Sequence, residues 1–281
     1  MTIDPNLLDD LEWRGLLAHT TDRDALRDAL SGGSVRFYVG FDPTAPSLHM
    51  GNLVQILTAR RLQLAGHTPY ALVGGATGMI GDPKDSGERT LNSLDTVKEW
   101  VANVRRQIEP FLSFEGENAA TMVNNYDWTA SLSTIDFLRD IGKHFPVNRM
   151  LARETVRRRL DSGISYTEFS YVLLQSMDFL NLYRDHGVTL QHGATDQWGN
   201  ITAGVELIRR AAGGSAHAFV TPLISKPDGA KLSKASGDTG IRELRRAGVR
   251  AAAVLGRAAW MTGLLKRPRD VPATDLGELF R

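Results

Sequence analysis

The sequence predicts an α/β protein built on a doubly wound, mostly parallel sheet, and three observations predict it. Runs of strand length recur along the chain, at 35–40, 69–74, 121–125, 188–191 and 218–224. Between them lie longer stretches whose apolar residues repeat at helical spacing, and strands alternating with such helices are the mark of strand–helix–strand units. Strand runs also end in polar loops that open the next helix, as in FDPTAPSLHMGN and HGATDQWGN. In a parallel sheet such junctions gather at the carboxyl edge of the strands, where ligands bind.

Composition bounds the reading. The chain has 281 residues, 42% hydrophobic and 23% charged, enough for one large domain or one and a half, with nothing that suggests disorder. Lys and Arg total 33 against 32 Asp and Glu, a net charge of +1, so overall charge makes no case for nucleic acid and leaves room only for a local basic patch. There is no Cys, which excludes disulfides and thiolate metal sites and fits a reducing compartment. No apolar run approaches the ~20 residues that span a bilayer, and residues 1–14 are acidic, unlike a signal peptide. A cytoplasmic location, no membrane partner and no dedicated metal site are the expectations.

Taken in order, residues 1–34 read as a helical lead-in. LLDDLEWRGLLAHT carries apolar residues at helical spacing, and TDRDALRDALSGG offers Thr21 as an N-cap and Gly32-Gly33 as a stop. The opening strand stops at Asp42-Pro43-Thr44, and His49 and Gly51 stand just ahead of a helix with Leu53, Ile56, Leu57 and Leu64 on one face and Gly66 as its stop. Backbone N–H groups at that helix start suit an anion such as phosphate, a His there adds a hydrogen bond, and a Gly permits close approach. PYALVG, 69–74, is a second buried strand. The four glycines from Gly74 to Gly81 in GATGMIGDP suit either a tight strand-to-helix connection or a backbone that approaches a ligand closely. KDSGERTLN, 84–92, is charged and reads as a mobile loop.

Thr96 to Phe114 is an amphipathic helix, Thr121 to Asn125 a third short strand, and Ser133 to Phe145 a helix closed by Pro146. ARETVRRRLDSG is a polar helix, read as a solvated face rather than a basic recognition helix. Tyr166 to Leu182 is apolar on nearly every side yet sets Tyr171, Gln175 and Asp178 at i, i+4 and i+7, one stripe of a buried helix. A buried Asp without partners costs several kcal/mol, so a ligand is a reasonable partner. Val188 to Gln191 runs into HGATDQWGN, where Asp196 and Gln197 open the helix ITAGVELIRRAAG. The last strand, AFVTPLI, leads to Asp228-Gly229 and to Lys231-Leu232-Ser233-Lys234. Two lysines three apart are common on surfaces and equally suit a phosphate.

HxGN after the first strand and KLSK after the last form the paired arrangement of the class I aminoacyl-tRNA synthetases. From Tyr38 to about Lys234, roughly seventy per cent of the chain, the sequence resembles bacterial tyrosyl-tRNA synthetases in ordered blocks: YVGFDPTAPSLHMGN, ALVGGATGMIGDP, ERTLN, NNYDW, FLRDIGKHF, TEFSY, DQWGNITAG and PLISKPDG. Chance agreement over eight such blocks is not credible. The resemblance implies a Rossmann-like catalytic domain at 35–230 with a helical insertion at about 96–160, ATP brought with its Mg²⁺, formation of tyrosyl-adenylate, transfer to tRNA, and a homodimer held partly through Ile135 to Phe145. Carried over by motif, Tyr38 and Asp178 would hold the tyrosine phenol, Tyr171, Gln175 and Asp82 its ammonium, and Gln197 its carboxylate, with Asn125 supporting the pocket. Gly40, Asp42, Thr44, Gly51 and Asp196 would line the nucleotide. His49 and Asn52 would act on the ATP phosphates, and Lys231 and Lys234 would clamp the departing pyrophosphate.

The sequence departs from the family in named places. Asn52 stands where the second His of HxGH is usual, which predicts slower adenylation, since Asn donates a hydrogen bond but carries no charge. The loop after Asp82 keeps Lys84 as its cation before Arg89, and Met177 and His192 fall next to expected pocket positions. From Ser233 the chain follows a different course, GDTGIRELRRAGVRAAAVLGRAAWMTGLL, which resembles the segment after KLSKR in glutamyl-tRNA synthetases. It reads as a short helical tail over 231–281 with Asp238 as an N-cap and Gly248 as a stop, and with no anticodon-binding domain. Three activities are open to such a chain: a minimal tyrosine–tRNA ligase, a paralogue that adenylates tyrosine or a related amino acid for another acceptor, and a non-catalytic RNA-binding relative.

Overall fold

The computed structural model describes residues 2–45, 47–83 and 93–224. Lys84, Arg89, Lys231, Lys234 and the tail from Ser233 lie outside the described residues. The elements in chain order begin with α1 (Leu7–Trp13), β1 (His19–Thr20), α2 (Arg23–Gly32), β2 (Arg36–Phe41), α3 (Met50–Leu64), β3 (Thr68–Val73), α4 (Thr77–Ile80) and α5 (Leu94–Ile108). There follow β4 (Thr121–Asn124), α6 (Tyr126–Thr129), α7 (Thr134–Asp136), α8 (Val147–Leu151), α9 (Glu154–Arg157), α10 (Tyr166–His186), β5 (Leu190–Ala194), α11 (Trp198–Ala212) and β6 (His217–Thr221).

The six strands form one sheet in the order β1-β6-β5-β2-β3-β4. All neighbours are parallel except β1, which pairs antiparallel with β6. The doubly wound expectation is met, and its five predicted strands all form. The sixth, β1, was not expected in a helical lead-in. Its two residues belong to no alternating pattern, and partner strand β6 lies about two hundred residues away in sequence. Thr21 therefore serves the sheet, its hydroxyl accepting from the Ala218 amide at 3.0 Å, and Asp22 caps α2 in its place, accepting from Asp24 and Ala25.

Strand periodicity decides what faces what, because successive side chains leave opposite faces of the sheet. Phe37, Val39 and Phe41 join the core beneath α1, α2, α3 and α5. Tyr38 points the other way, into the core formed with α10 and α11. In register with it are Tyr70 on β3 and Gln191 on β5. The long buried helix α10 is started by the Ser165 hydroxyl, which accepts from the Glu168 amide, and ended by Gly187 at φ 63°, a left-handed turn that glycine adopts without strain. Among the described residues no helix is long and apolar enough to cross a membrane.

Two helical expectations are corrected. The helix expected over 133–145 breaks up: α7 passes into a π turn, Phe137–Ile141, and a 3-10 turn, Gly142–His144, before Pro146 begins α8. The polar helix expected after 151 is only the single turn of α9, and its face is not fully solvated. Arg159 is buried and meets the buried carboxylate of Glu168 at 3.2 Å, outside hydrogen-bond alignment, while also donating to the Gly163 carbonyl at 3.1 Å. A charge without its partner in such a place is expensive. Glu168→Gln is accordingly expected to lower stability by about 3 kcal/mol in urea denaturation, whereas apolar residues of matching size at both positions restore most of it.

Candidate active site

The carboxyl ends of β2, β3, β4 and β5 bring together most of the expected site. Asp42 follows β2 directly. Its two oxygens accept from the Thr77 hydroxyl and the Tyr171 hydroxyl, each at 2.7 Å. The glycine run after β3 makes this approach possible. A Cβ on Gly74 would sit 2.1 Å from Asp42 Oδ1, one on Gly75 2.3 Å from Asn124 Oδ1, and one on Gly78 2.8 Å from the Pro43 ring. The tight connection is seen here: side chains from the loop after β2, from Thr77 and from β4 occupy the space.

Asp178 lies at the bottom of the arrangement, 2% exposed on α10. Its oxygens accept from Asn125 Nδ2 at 3.0 Å and from the Trp128 indole at 2.9 Å. Asn125 is itself fixed, accepting from the Ala76 amide and donating to Thr77. Burial raises the Asp178 carboxyl to about 7, against the pull of those two donors. Tyr38, 1% exposed and edge-on to Phe179 at 5.2 Å, is pushed upward by burial and by Asp178. Gln191 comes near its hydroxyl without satisfying hydrogen-bond geometry. Gln175 Oε1 on the same helix is likewise buried with its acceptor capacity unused by the protein. Buried polar atoms are nearly always paired, so two such atoms, one beside Asp178 on the α10 stripe and one on β2, mark a candidate place for a polar ligand.

Asp82 begins a second cluster. It accepts from Gln197 Nε2 at 2.9 Å and from Asn200 Nδ2 at 3.1 Å, and burial, followed by the nearby Asp42 and Asp196 charges, raises its carboxyl. Asn200 Nδ2 also donates to Gln197 Oε1 at 3.2 Å, and its own oxygen accepts from Arg153. The Tyr171 phenol, expected beside Asp82, is hydrogen-bonded to Asp42 while feeling both charges. Asp196 stands next to Gln197 in the 3-10 turn that leaves β5, and Gly40 on β2 has room for a Cβ against Leu72. The Thr44 amide donates to the Asp42 carbonyl at 2.8 Å.

His49 is the N-cap of α3, and Asn52 completes a reciprocal cap with it. His49 Nδ1 accepts from the Asn52 amide at 3.3 Å, and Asn52 Oδ1 accepts from the His49 amide at 3.1 Å. An accepting Nδ1 leaves the proton of the neutral ring on Nε2, a donor suited to an anion. Gly51 is needed for this fold-back: a Cβ there would lie 2.8 Å from the imidazole carbon Cε1. Asn52, expected to act on phosphates, is also tied to His49 by this cap.

His192 does not adjoin the pocket. It leaves the opposite face of the sheet, stacked on Phe219 at 5.3 Å, with Nδ1 3.2 Å from Gln55 Oε1, and burial lowers it to about 3. Met177 does join the core that contains Tyr38. Trp128, Thr77, Asn200 and Arg153 were not anticipated. Spacing held a signal for two of them, since Asn125 and Trp128, and Gln197 and Asn200, are each three apart at a helix start, where i and i+3 share a face.

Two outcomes test this geometry. The Asp178 carboxyl titrates near its ordinary value when unfolded and at about 7 when folded. Between roughly pH 4 and 7 only the folded state keeps the proton, so this group's contribution to stability falls as pH rises and is level above 7. Asp178→Asn is expected to remove that slope from denaturation curves taken across the window. Gly51→Ala is expected to displace the His49 ring and cost about 1 kcal/mol of thermal stability, the worth of a helix cap.

Residues 30–242 match the family model described as tRNA synthetases class I (W and Y). The tyrosine–tRNA ligase of Streptomyces coelicolor is 65% identical over 235 residues, 83% of this chain and 56% of its own length. That of Leifsonia xyli is 61% identical over 235 residues, 83% and 53% of the two chains. The chain thus spans about half the length of the curated relatives it matches. Among solved structures, a C-terminally truncated mitochondrial tyrosyl-tRNA synthetase of Aspergillus nidulans superimposes with a TM-score of 0.79 at 26% identity, covering 98% of this chain and 82% of that one. The Archaeoglobus fulgidus tyrosyl-tRNA synthetase complexed with L-tyrosine has the same fold, at a TM-score of 0.65 and 21% identity over 87% of this chain and 74% of that one. With more than half its residues inside the matched model, the chain belongs to the class I tRNA synthetases of the tryptophan and tyrosine family.

Proposed function

We propose that this chain activates L-tyrosine with ATP to tyrosyl-adenylate and passes the tyrosyl group to tRNA. The observation that carries the reading is the buried Tyr38 hydroxyl, without a hydrogen bond of its own, beside a carboxylate fixed by Asn125 and Trp128. A phenol fits that pair chemically. Its oxygen accepts from Tyr38 while its proton is donated to Asp178. Phenylalanine would leave both groups buried and unpaired, which is the costly outcome for buried polar atoms.

The same reading gives the other groups their work. Asp82, with Tyr171 and Gln175, takes the substrate ammonium, and Gln197 orients the carboxylate. That carboxylate is already ionised at neutral pH, so attack on the α-phosphate needs no general base. One oxygen–phosphorus bond forms as the bond to pyrophosphate breaks, and charge grows on the equatorial and leaving oxygens. In this reading His49 Nε2–H at the start of α3 meets that charge, and preorganised donors of this kind are the main source of such acceleration. Lys231 and Lys234 are assigned the pyrophosphate. Magnesium enters as part of the substrate, with ATP. Gly40, Asp42, Thr44, Gly51 and Asp196 line the nucleotide.

A homodimer is part of the proposal. Ile135 is 69% exposed and Val147 60%, with Leu138 and Leu151 also open, an apolar group on the α7 to α8 segment that a second copy would cover. The cytoplasm is the proposed compartment.

Pyrophosphate exchange measured across the amino acids, followed by charging of tRNA, tests this. Exchange with tyrosine and none with phenylalanine is expected, and Asp178→Ala is expected to bring it to background. Exchange without charging would keep the activation step and remove tRNA as acceptor; no exchange with any amino acid would remove the enzyme altogether.

A further inference from the structure

Arg153 comes from the link between α8 and α9, away from every element that carries an expected site residue, yet it reaches the cluster around Asp82. Its guanidinium donates to the oxygen of Asn200. It lies across Gly199, where an added Cβ would come within 3.2 Å of Nη2, so the glycine of DQWGN makes room for it. From Asn200 a chain of hydrogen bonds runs in one direction. Asn200 Nδ2 donates to Asp82 Oδ1 at 3.1 Å and to Gln197 Oε1 at 3.2 Å, and Gln197 Nε2 donates to Asp82 Oδ2 at 2.9 Å.

The ends of that chain dictate its sense. A guanidinium only donates and a carboxylate only accepts, whereas an amide presents one accepting oxygen and one donating nitrogen. With Arg153 at one end, the Asn200 oxygen is turned toward it and the nitrogen toward Asp82. Gln197 must then offer its oxygen to Asn200 and its nitrogen to Asp82. We infer that Arg153 is a positioning residue for the ammonium pocket: acting through Asn200 and Gln197, it holds two amides in the orientation that keeps both oxygens of Asp82 as fixed acceptors for a cationic amine. The inference rests on the reading of Asp82 as the carboxylate that takes the tyrosine ammonium.

Without Arg153 the Asn200 oxygen is buried and unpaired, and the amide relaxes away from Asp82 to find a partner. Asp82 then loses a donor and its nearby cation together. The charges that face it, Asp42 at the end of β2 and Asp196 after β5, both favour its protonated form, as does burial, while Tyr171 on α10 feels the Asp82 charge and is neutral. Loss of Arg153 therefore makes Asp82 hold its proton to higher pH, and an amine binds less well.

The test is tyrosine-dependent pyrophosphate exchange by the full 281-residue chain with no tRNA present, so that any contact of Arg153 with nucleic acid has no effect. Arg153→Met is expected to raise the KM for tyrosine about tenfold, the usual order for one lost charge-assisted hydrogen bond, with the KM for ATP within about twofold. The acid limb of kcat/KM for tyrosine moves to higher pH. Arg153→Lys keeps a donor and a charge and recovers most of the loss, and Asn200→Ala reproduces the phenotype. Should Arg153→Met fail to fold, Asn200→Ala and Arg153→Lys carry the measurement. Wild-type tyrosine KM and acid limb in the variants, or equal rises in the KM for tyrosine and ATP, would overturn the inference. Absence of exchange by the wild type itself would remove the functional reading and the inference with it.

Discussion

Three carboxylates gather at one edge of the sheet, and the cost of burying their charge is the constraint around which the site is arranged. Asp42, Asp82 and Asp178 each receive one side-chain donor on each oxygen: Thr77 and Tyr171, Gln197 and Asn200, Trp128 and Asn125 respectively. All six donors are neutral. Neutral donors satisfy the lone pairs of an anion without themselves cancelling its charge. Among the described residues, Arg153 is a cation drawn toward this cluster, and it donates to Asn200.

The sheet separates two jobs by parity. Odd positions of β2, Phe37, Val39 and Phe41, build the core under α3, and the intervening Tyr38 is available to the pocket on the α10 side. The same alternation on β5 sends Gln191 toward Tyr38 and His192 away from it, into the stack with Phe219. A residue can therefore be adjacent in sequence to a pocket position and belong to the far side of the molecule. Parity, available from the strand pattern, was the information that the expectation for His192 omitted.

Much of this was readable beforehand because it depends on local rules. Strand lengths, helix periods and the Tyr171, Gln175, Asp178 stripe follow from side-chain direction along a regular backbone, and the glycines after β3 signalled a close approach without saying to what. What escaped depends on partners distant in sequence. β1 is two residues long and has no pattern, and the burial of Arg159 is visible only once Glu168 is beside it. Arg153 belongs to a stretch that looks like solvated surface by composition. Asn52 carries a contact that was not read from the motif: its spacing from His49 is also that of a reciprocal helix cap.

The placement of β1 has a consequence for how the molecule is made. Among the described residues its sheet neighbour is β6, so a strand at His19–Thr20 waits for one that ends at Thr221. The central pair β2 and β5 is similarly separated, by about 150 residues. A growing chain can assemble β2, β3 and β4 in order as they emerge, but the half of the sheet that holds Gln197 and Asn200 must be added afterwards, and the long-range closures it requires are slow. During translation the edge of β2 is thus open until β5 arrives, and an unpaired strand edge of that kind is the place where a nascent chain most needs protection from its neighbours.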